Sequence, residues 1–210
     1  EMPADRIRVI QPTVGGGFGG KSEPFDLEFC VAWLARATGR PVKLLYTREE
    51  VFYAHRGRHP MRLTYKAGVS KDGALTGVKS KIHIDGGAYS SFGLVTTYYS
   101  GQLLTAPYRF PTYEFDSTRV FTNKPCCGPK RGHGSVQPRF AFECLLDMLA
   151  EKVGMDPIEI RRKNFIGDNT RTVNELRVTS NGFLECLSIV ERASGWKERF
   201  RKLPFGKGLG

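Results

Sequence analysis

Residues 13–22 read TVGGGFGGKS, placing five glycines around one phenylalanine between positions 15 and 20. Without Cβ atoms the backbone there can turn left-handed, and successive N–H groups can converge on one point, a geometry suited to an anion. The flanks sharpen the constraint. Residues 6–11, RIRVIQ, alternate apolar and polar side chains and predict a half-buried strand. Residues 22–39, SEPFDLEFCVAWLARATG, predict a helix with Ser22 as cap, Pro24 in the first turn, Asp26 and Glu28 at its positive end and Gly39 as its stop. Its apolar residues run nearly all round, which predicts burial. A strand, a glycine loop and a helix in that order favour an anion at the helix N-terminus.

Two nucleotide patterns fit the loop by spacing alone, G-x-x-x-x-G-K-S from Gly15 and G-x-G-x-x-G through Gly15, Gly17 and Gly20. The rest of the chain argues against both. Each requires alternating strands and helices in a parallel sheet. Instead PVKLLYT (41–47), MRLTYKAGV (61–69) and LTGVKSKIHI (75–84) predict successive strands, the last two forming an antiparallel hairpin about Asp72-Gly73. Glu49 and Glu50 come too late for a ribose ligand, and Asp85 precedes a second Gly-Gly loop rather than a helix.

Further along, residues 84–108 are rich in Gly, Ser and Tyr and predict irregular or short helical segments near a site. YEFDSTRVFTN (113–123) predicts a strand, and KPCCGPKRGHGSVQP (124–138) a loop. Three helices follow. In the first, Phe142, Leu145, Leu146, Leu149 and Val153 mark one apolar stripe, closed by Gly154. The second starts with Asp156 as cap, Pro157 at the first helical position and Glu159 completing a capping box. The third covers residues 181–195. The expected fold class is α+β, a mixed or antiparallel sheet with packed helices.

The chain has 210 residues, 40% hydrophobic and 25% charged, as in soluble globular proteins. It carries neither an apolar run of membrane-spanning length nor a signal segment, so a cytoplasmic protein is expected. The five cysteines, Cys30, Cys126, Cys127, Cys144 and Cys186, lack C-x-x-C spacing and are expected to be buried, reduced thiols. The net charge of +11 is spread along the sequence with no nucleic-acid motif, and predicts a basic surface able to attract a phosphorylated small molecule. Position 1 is Glu and the chain ends in KGLG without a closing element, so a piece of a longer polypeptide is expected.

VGGGFGGK (14–21), GRHP (57–60), Thr122-Asn123 followed by Pro125, RGHGSVQ (131–137) and RRKN (161–164), in this order, resemble the molybdenum-binding subunit of the xanthine oxidase family. The resemblance implies that residues 1–166 are part of a first molybdopterin-binding domain and 167–210 the helical start of a second. It implies a molybdenum held by a pterin dithiolene with no protein side-chain ligand, approached by the backbone of Gly16, Gly17, Phe18 and Gly19 from one loop and by Arg131 from the other. It further implies the cytosine dinucleotide form of the pterin, partner subunits carrying iron–sulfur clusters and FAD, and a higher oligomer. The family's catalytic Glu belongs to a later motif with no counterpart before Gly210, so this piece alone is expected to be inactive.

Departures narrow the chemistry. Purine-oxidising members carry Glu where Ser22 stands, with Glu23 one place later here, an Arg at the position of Tyr99 and a Phe at that of His133. Stretches such as REEVFYAHRGRHPM (48–61) and CGPKRGHGSVQPRFAFE (127–143) resemble the 4-hydroxybenzoyl-CoA reductase branch. That likeness implies reductive dehydroxylation of 4-hydroxybenzoyl-CoA, with Tyr99 and His133 catalytic and Ser22, Glu23 and Tyr98 at the substrate. Oxidation of an aldehyde or N-heterocycle is the nearest alternative, a nonenzymatic fragment the next, and a nucleoside triphosphatase using Lys21 the last.

Overall fold

The structure, a computed structural model, describes residues 2–209. Its centre is a three-stranded sheet in the order β1 (Met61–Val69), β2 (Leu75–Asp85), β3 (Tyr113–Val120). The first two pair antiparallel, from Met61 opposite Ile84 to Val69 opposite Leu75, through the expected turn, where Gly73 has φ +84°. β3 returns parallel to β2, Val78 opposite Tyr113 and Asp85 opposite Val120, so the sheet is mixed. Parallel pairing requires a crossover. Here it holds α3 (Gly93–Gln102), a helix that walls the site. Alternation in β2 sends Val78, Ser80, Ile82 and Ile84 inward and leaves Lys79, Lys81 and His83 in water.

The inner face of the sheet packs on α4 (Val136–Val153). Phe142, Leu146 and Leu149 from the expected stripe are buried, while Leu145 and Val153 are half-buried. The Phe142 ring sits 5.0 Å from Phe110 and 6.0 Å from Tyr108, a cluster whose truncation to Ala costs about 3–5 kcal/mol. α5 (Pro157–Asn164) opens on Asp156, whose Oδ1 accepts from Ile158 N at 2.7 Å. The capping box is incomplete: Glu159 pairs with Arg162 at 3.5 Å instead. Asn164 closes α5 from inside the core, accepting from Leu75 N and donating to the Gly73 and Ile160 carbonyls, each at 2.8 Å. A two-stranded ribbon, β4 (Thr170–Arg171) with β5 (Arg177–Val178), leads to α6 (Phe183–Ser194) and the short α7 (Trp196–Arg199).

Several expectations fail near the N-terminus. Residues 6–11 and 41–47 form no strand. Val9, Ile10 and Leu45 are 89%, 69% and 80% exposed, because no described strand lies beside them to complete a ladder. The first helix forms as α1 (Asp26–Thr38) but buries no residue, with Phe29 and Trp33 in water. Phe25 occupies the cap position rather than Ser22, and Glu28 folds back onto the Phe25 N–H. The C-terminal stop is as expected, with Gly39 at φ +64°. A second helix, α2 (Arg48–Ala54), follows, capped by Thr47 and Glu50 reciprocally. All five cysteines are free, but only Cys127 is buried; Cys126 is half-buried, and Cys30, Cys144 and Cys186 are exposed on helices with one face in water.

Candidate functional site

The glycine loop uses the backbone freedom that its composition offers. Gly15, Gly16 and Gly19 have φ of +71°, +113° and +89°, and Phe18 itself adopts +52°. Among the described residues the N–H groups of Gly16, Gly17, Phe18 and Gly19 donate to no protein acceptor, since the loop's internal bonds run from Gly20 N to Gly17 O and from Ser22 N to Gly19 O. Four consecutive amides without protein acceptors suit an anion. Lys21 folds back, its ammonium donating to the Val14 and Gly16 carbonyls at 3.0 and 2.8 Å. A lysine spent on its own loop braces the turn, which removes the basis of the triphosphatase reading.

The second loop, residues 128–135, abuts the first. Arg131 N donates to Phe18 O at 2.8 Å, joining the two sequence motifs. The approach is close: a Cβ on Gly19 would stand 3.0 Å from the Pro129 carbonyl carbon. Gly132 and Gly134 have φ of +72° and +81°, and their N–H groups, with that of His133, again lack protein acceptors among the described residues. Arg58 holds the loop by donating to Arg131 O at 2.8 Å. Lys130 lies 3.0 Å from His55 Nδ1, its pKa lowered by burial and then by Arg58. None of Lys21, Arg58, Lys130 and Arg131 has a carboxylate partner among the described residues. Free amides and unneutralised cations around one pair of loops fit an anionic group such as an oxo-metal pterin.

The wall of the site is α3. His133 Nε2 lies 2.7 Å from Thr96 Oγ1 and 3.1 Å from Phe92 O. A carbonyl only accepts, so Nε2 carries the proton and Nδ1 is left without a protein partner among the described residues. Gly134 makes this contact possible, because a Cβ there would lie 2.7 Å from Thr96 O and 3.1 Å from Tyr99 Cβ. Tyr98 and Tyr99 follow on the same helix, ring centroids 5.7 Å apart, Tyr98 exposed and Tyr99 half-buried.

Beneath His133 lies His59, 2% exposed, with the rings edge to face at 5.5 Å. Burial, reinforced by His133 and Arg119, pushes its pKa down to about 4. The Gln137 amide donates to His59 O at 2.7 Å, while His59 Nε2 and Gln137 Oε1 are buried without partners.

Two expected substrate residues make local bonds in the structure. Ser22 Oγ donates to Gly19 O at 2.9 Å within its own loop. The Glu23 carboxylate accepts from Ser91 and lies 3.4 Å from Arg56 Nε, tying the loop to the segment after α2 and to the segment before α3. The structure thus joins Phe18, Arg131 and the loop glycines, and joins His133 to the helix of Tyr98 and Tyr99, but turns Ser22 and Glu23 toward local braces. Thr96, Arg58 and His59 contact these loop residues, which the sequence does not predict. GRHP carries the only local signal for two of them, and Thr96 has none.

Residues 1–165 match the molybdopterin cofactor-binding domain. The chain is 40% identical over 206 residues to a probable xanthine dehydrogenase subunit of Bacillus subtilis (strain 168), covering 98% of this chain and 28% of that one. It is 39% identical over 181 residues to the aldehyde oxidoreductase of Megalodesulfovibrio gigas, covering 85% of this chain and 20% of that one. Among solved structures, aldehyde oxidoreductase from Desulfovibrio gigas superposes with a TM-score of 0.84 and 34% identity over 91% of this chain and 21% of its own. Quinoline 2-oxidoreductase from Pseudomonas putida 86 gives 0.83 and 28% over 89% and 24%. The chain therefore spans less than a third of the length of these relatives. Paired glycine loops of this geometry, a sheet-and-helix frame shared with those enzymes and a family match over residues 1–165 lead to one conclusion: the chain belongs to the molybdopterin cofactor-binding domain family of the xanthine oxidase type.

Proposed function

We propose that this chain forms part of the molybdenum-binding subunit of an enzyme that reductively dehydroxylates 4-hydroxybenzoyl-CoA to benzoyl-CoA. The balance is two electrons and two protons in, with the ring hydroxyl leaving as water. The observation that carries the reading is His133: its Nε2 is anchored by Phe92 O and Thr96, leaving Nδ1 as a free acceptor that would relay a proton to the departing oxygen. Tyr99 would hydrogen-bond that oxygen and Tyr98 would offer a ring face. The amides of Gly16, Gly17, Phe18 and Gly19, with the Arg131 loop, would hold the cofactor's anionic groups, and Phe18 and Arg131 would stand nearest the metal without ligating it. When bound, the molybdenum–pterin group, in its cytosine dinucleotide form, supplies two-electron redox chemistry. Iron–sulfur and flavin subunits would deliver the electrons in a cytoplasmic complex of higher order. Residues 167–210 would begin a second domain. The basic surface suits the phosphates of coenzyme A.

Likeness to the aldehyde oxidoreductases and to quinoline 2-oxidoreductase favours a second reading, oxidation of an aldehyde or N-heterocycle at the same loops. The assembled full-length enzyme, assayed with 4-hydroxybenzoyl-CoA and a strong reductant, should form benzoyl-CoA. His133→Phe should lower that rate by about 10²–10⁴-fold at unchanged metal content. Oxidation of 4-hydroxybenzaldehyde without any benzoyl-CoA formation overturns the first reading in favour of the second.

A further inference from the structure

Tyr65 of β1 turns toward α4, packing on Phe142 and donating to Pro138 O. Alternation therefore puts its neighbours Arg62, Thr64 and Lys66 on the opposite face of the sheet, and all three are exposed. The register sets Arg62 opposite His83, Thr64 opposite Lys81 and Lys66 opposite Lys79, all exposed on β2. On the far side β3 adds Glu114 beside Lys79 and Asp116 beside Lys81. Lys79 is neutralised, its ammonium 2.5 Å from Glu114. Arg62, Lys66 and Lys81 have no carboxylate partner among the described residues, and Asp116 has no cation.

Like charges facing each other across neighbouring strands repel, and Lys66 opposite Lys79 is such a pair. Glu114 answers Lys79 alone. Arg62 and Lys66 stand about 13 Å apart along β1, with Lys81 level with their midpoint and about 5 Å across on β2, a triangle of cations that only an outside anion can match. The aromatic residues of these strands, Tyr65, Tyr113 and Phe115, turn inward, so the face offers no ring on which a nucleic-acid base could stack. Glu114 and Asp116 on the same face would repel a phosphate backbone or an anionic lipid surface. A protein surface carrying carboxylates toward β1 and β2, and a cation toward Asp116, complements both signs. We propose that this outer face, centred on Arg62, Lys66 and Lys81, docks an acidic surface of a partner subunit in the enzyme complex. The inference rests on the multi-subunit part of the proposed function and is independent of the substrate.

A carbodiimide joins lysine amines to carboxylates that touch them, and peptide mass spectrometry of the treated, assembled full-length enzyme identifies the joined pairs. Lys79 joined to Glu114 is the internal control, since that pair is already in contact. Lys66 and Lys81 should be joined to Asp or Glu residues of another subunit. The triple reversal Arg62→Glu, Lys66→Glu and Lys81→Glu, confined to exposed side chains, should lower the partner retained at about 0.15 M salt by about ten-fold or more. The Lys79–Glu114 link should persist in that variant, which shows that the sheet still folds. An assembled complex in which Lys66 and Lys81 stay unlinked overturns the docking surface and leaves the multi-subunit reading intact. Links confined to this chain, or to a second copy of it, overturn it in favour of those occupants. Active enzyme that purifies without any partner subunit removes the multi-subunit reading and this surface together.

Discussion

Asn164 offers the sharpest test of how the hairpin is held to the helices. Its side chain is 6% exposed and makes three hydrogen bonds of 2.8 Å, accepting from Leu75 N and donating to Gly73 O and Ile160 O. The Ile160 carbonyl lies within α5, so Asn164→Ala leaves chiefly Leu75 N–H and Gly73 C=O without partners in a site closed to water. Each orphaned buried group costs about 1–3 kcal/mol, which puts the variant about 2–6 kcal/mol below wild type. Asn164→Asp keeps the acceptor toward Leu75 but turns an oxygen toward two carbonyls, an arrangement that favours the protonated acid. The folded pKa of that carboxyl then lies above its unfolded value, near 3.9. The folded state binds the extra proton, so this variant is most stable below about pH 4 and loses stability as pH rises through the folded pKa. Urea unfolding followed by Trp196 fluorescence measures both, since Trp196 is buried beside α5 with its Nε1 donating to Asp156 at 2.9 Å. Asn164→Ala within 0.5 kcal/mol of wild type, an order-of-magnitude limit for inert surface changes, would refute the bracing role. So would an Asp variant whose deficit is the same at pH 4.5 and pH 7.5.

His59 should also make itself felt in acid. Its pKa is lowered to about 4 by burial, so its contribution is full above an unfolded pKa near 6.5 and is lost as pH falls from there toward 4, by up to about 3 kcal/mol. Melting temperature measured across that range should show a slope that His59→Gln flattens; an unchanged slope would exclude His59 as its source. Asp85, held down to about 2 by Lys124 and Thr122, acts in a separate window below about pH 4. At the loops, Gly19→Val would force a side chain into left-handed backbone at φ +89° and against the Pro129 carbonyl carbon 3.0 Å away. Strain of about 1–2 kcal/mol and overpacking of about 1–3 kcal/mol should separate the two loops. Molybdenum content of the purified full-length enzyme should fall several-fold, and full metal occupancy would contradict the assigned cradle.

The elements legible in the sequence are those whose partners lie nearby in the chain. The hairpin of β1 and β2 is marked by Asp72-Gly73 and by alternating side chains, and α4 by an apolar stripe ending in Gly154. Residues 6–11 and 41–47 carry strand-like patterns yet form no strand, because a ladder needs a neighbouring backbone that the pattern cannot supply. Likewise α1 has apolar residues nearly all round, but burial depends on what packs against them.

The candidate site divides in the same way. Sequence by itself determined that residues 15–20 would expose amides and that residues 131–134 would form a second glycine-rich turn, since backbone freedom is a local property of glycine. It could not determine which side chains remained free to act. Only the tertiary structure decided that Phe18 O meets Arg131 N, that Lys21 folds onto its own loop, and that Glu23 is taken by Arg56 and Ser91 while His133 keeps one nitrogen free. Hydrogen-bonding capacity is finite, and which groups use it up depends on segments far apart in the chain being folded together, a condition that no local pattern records.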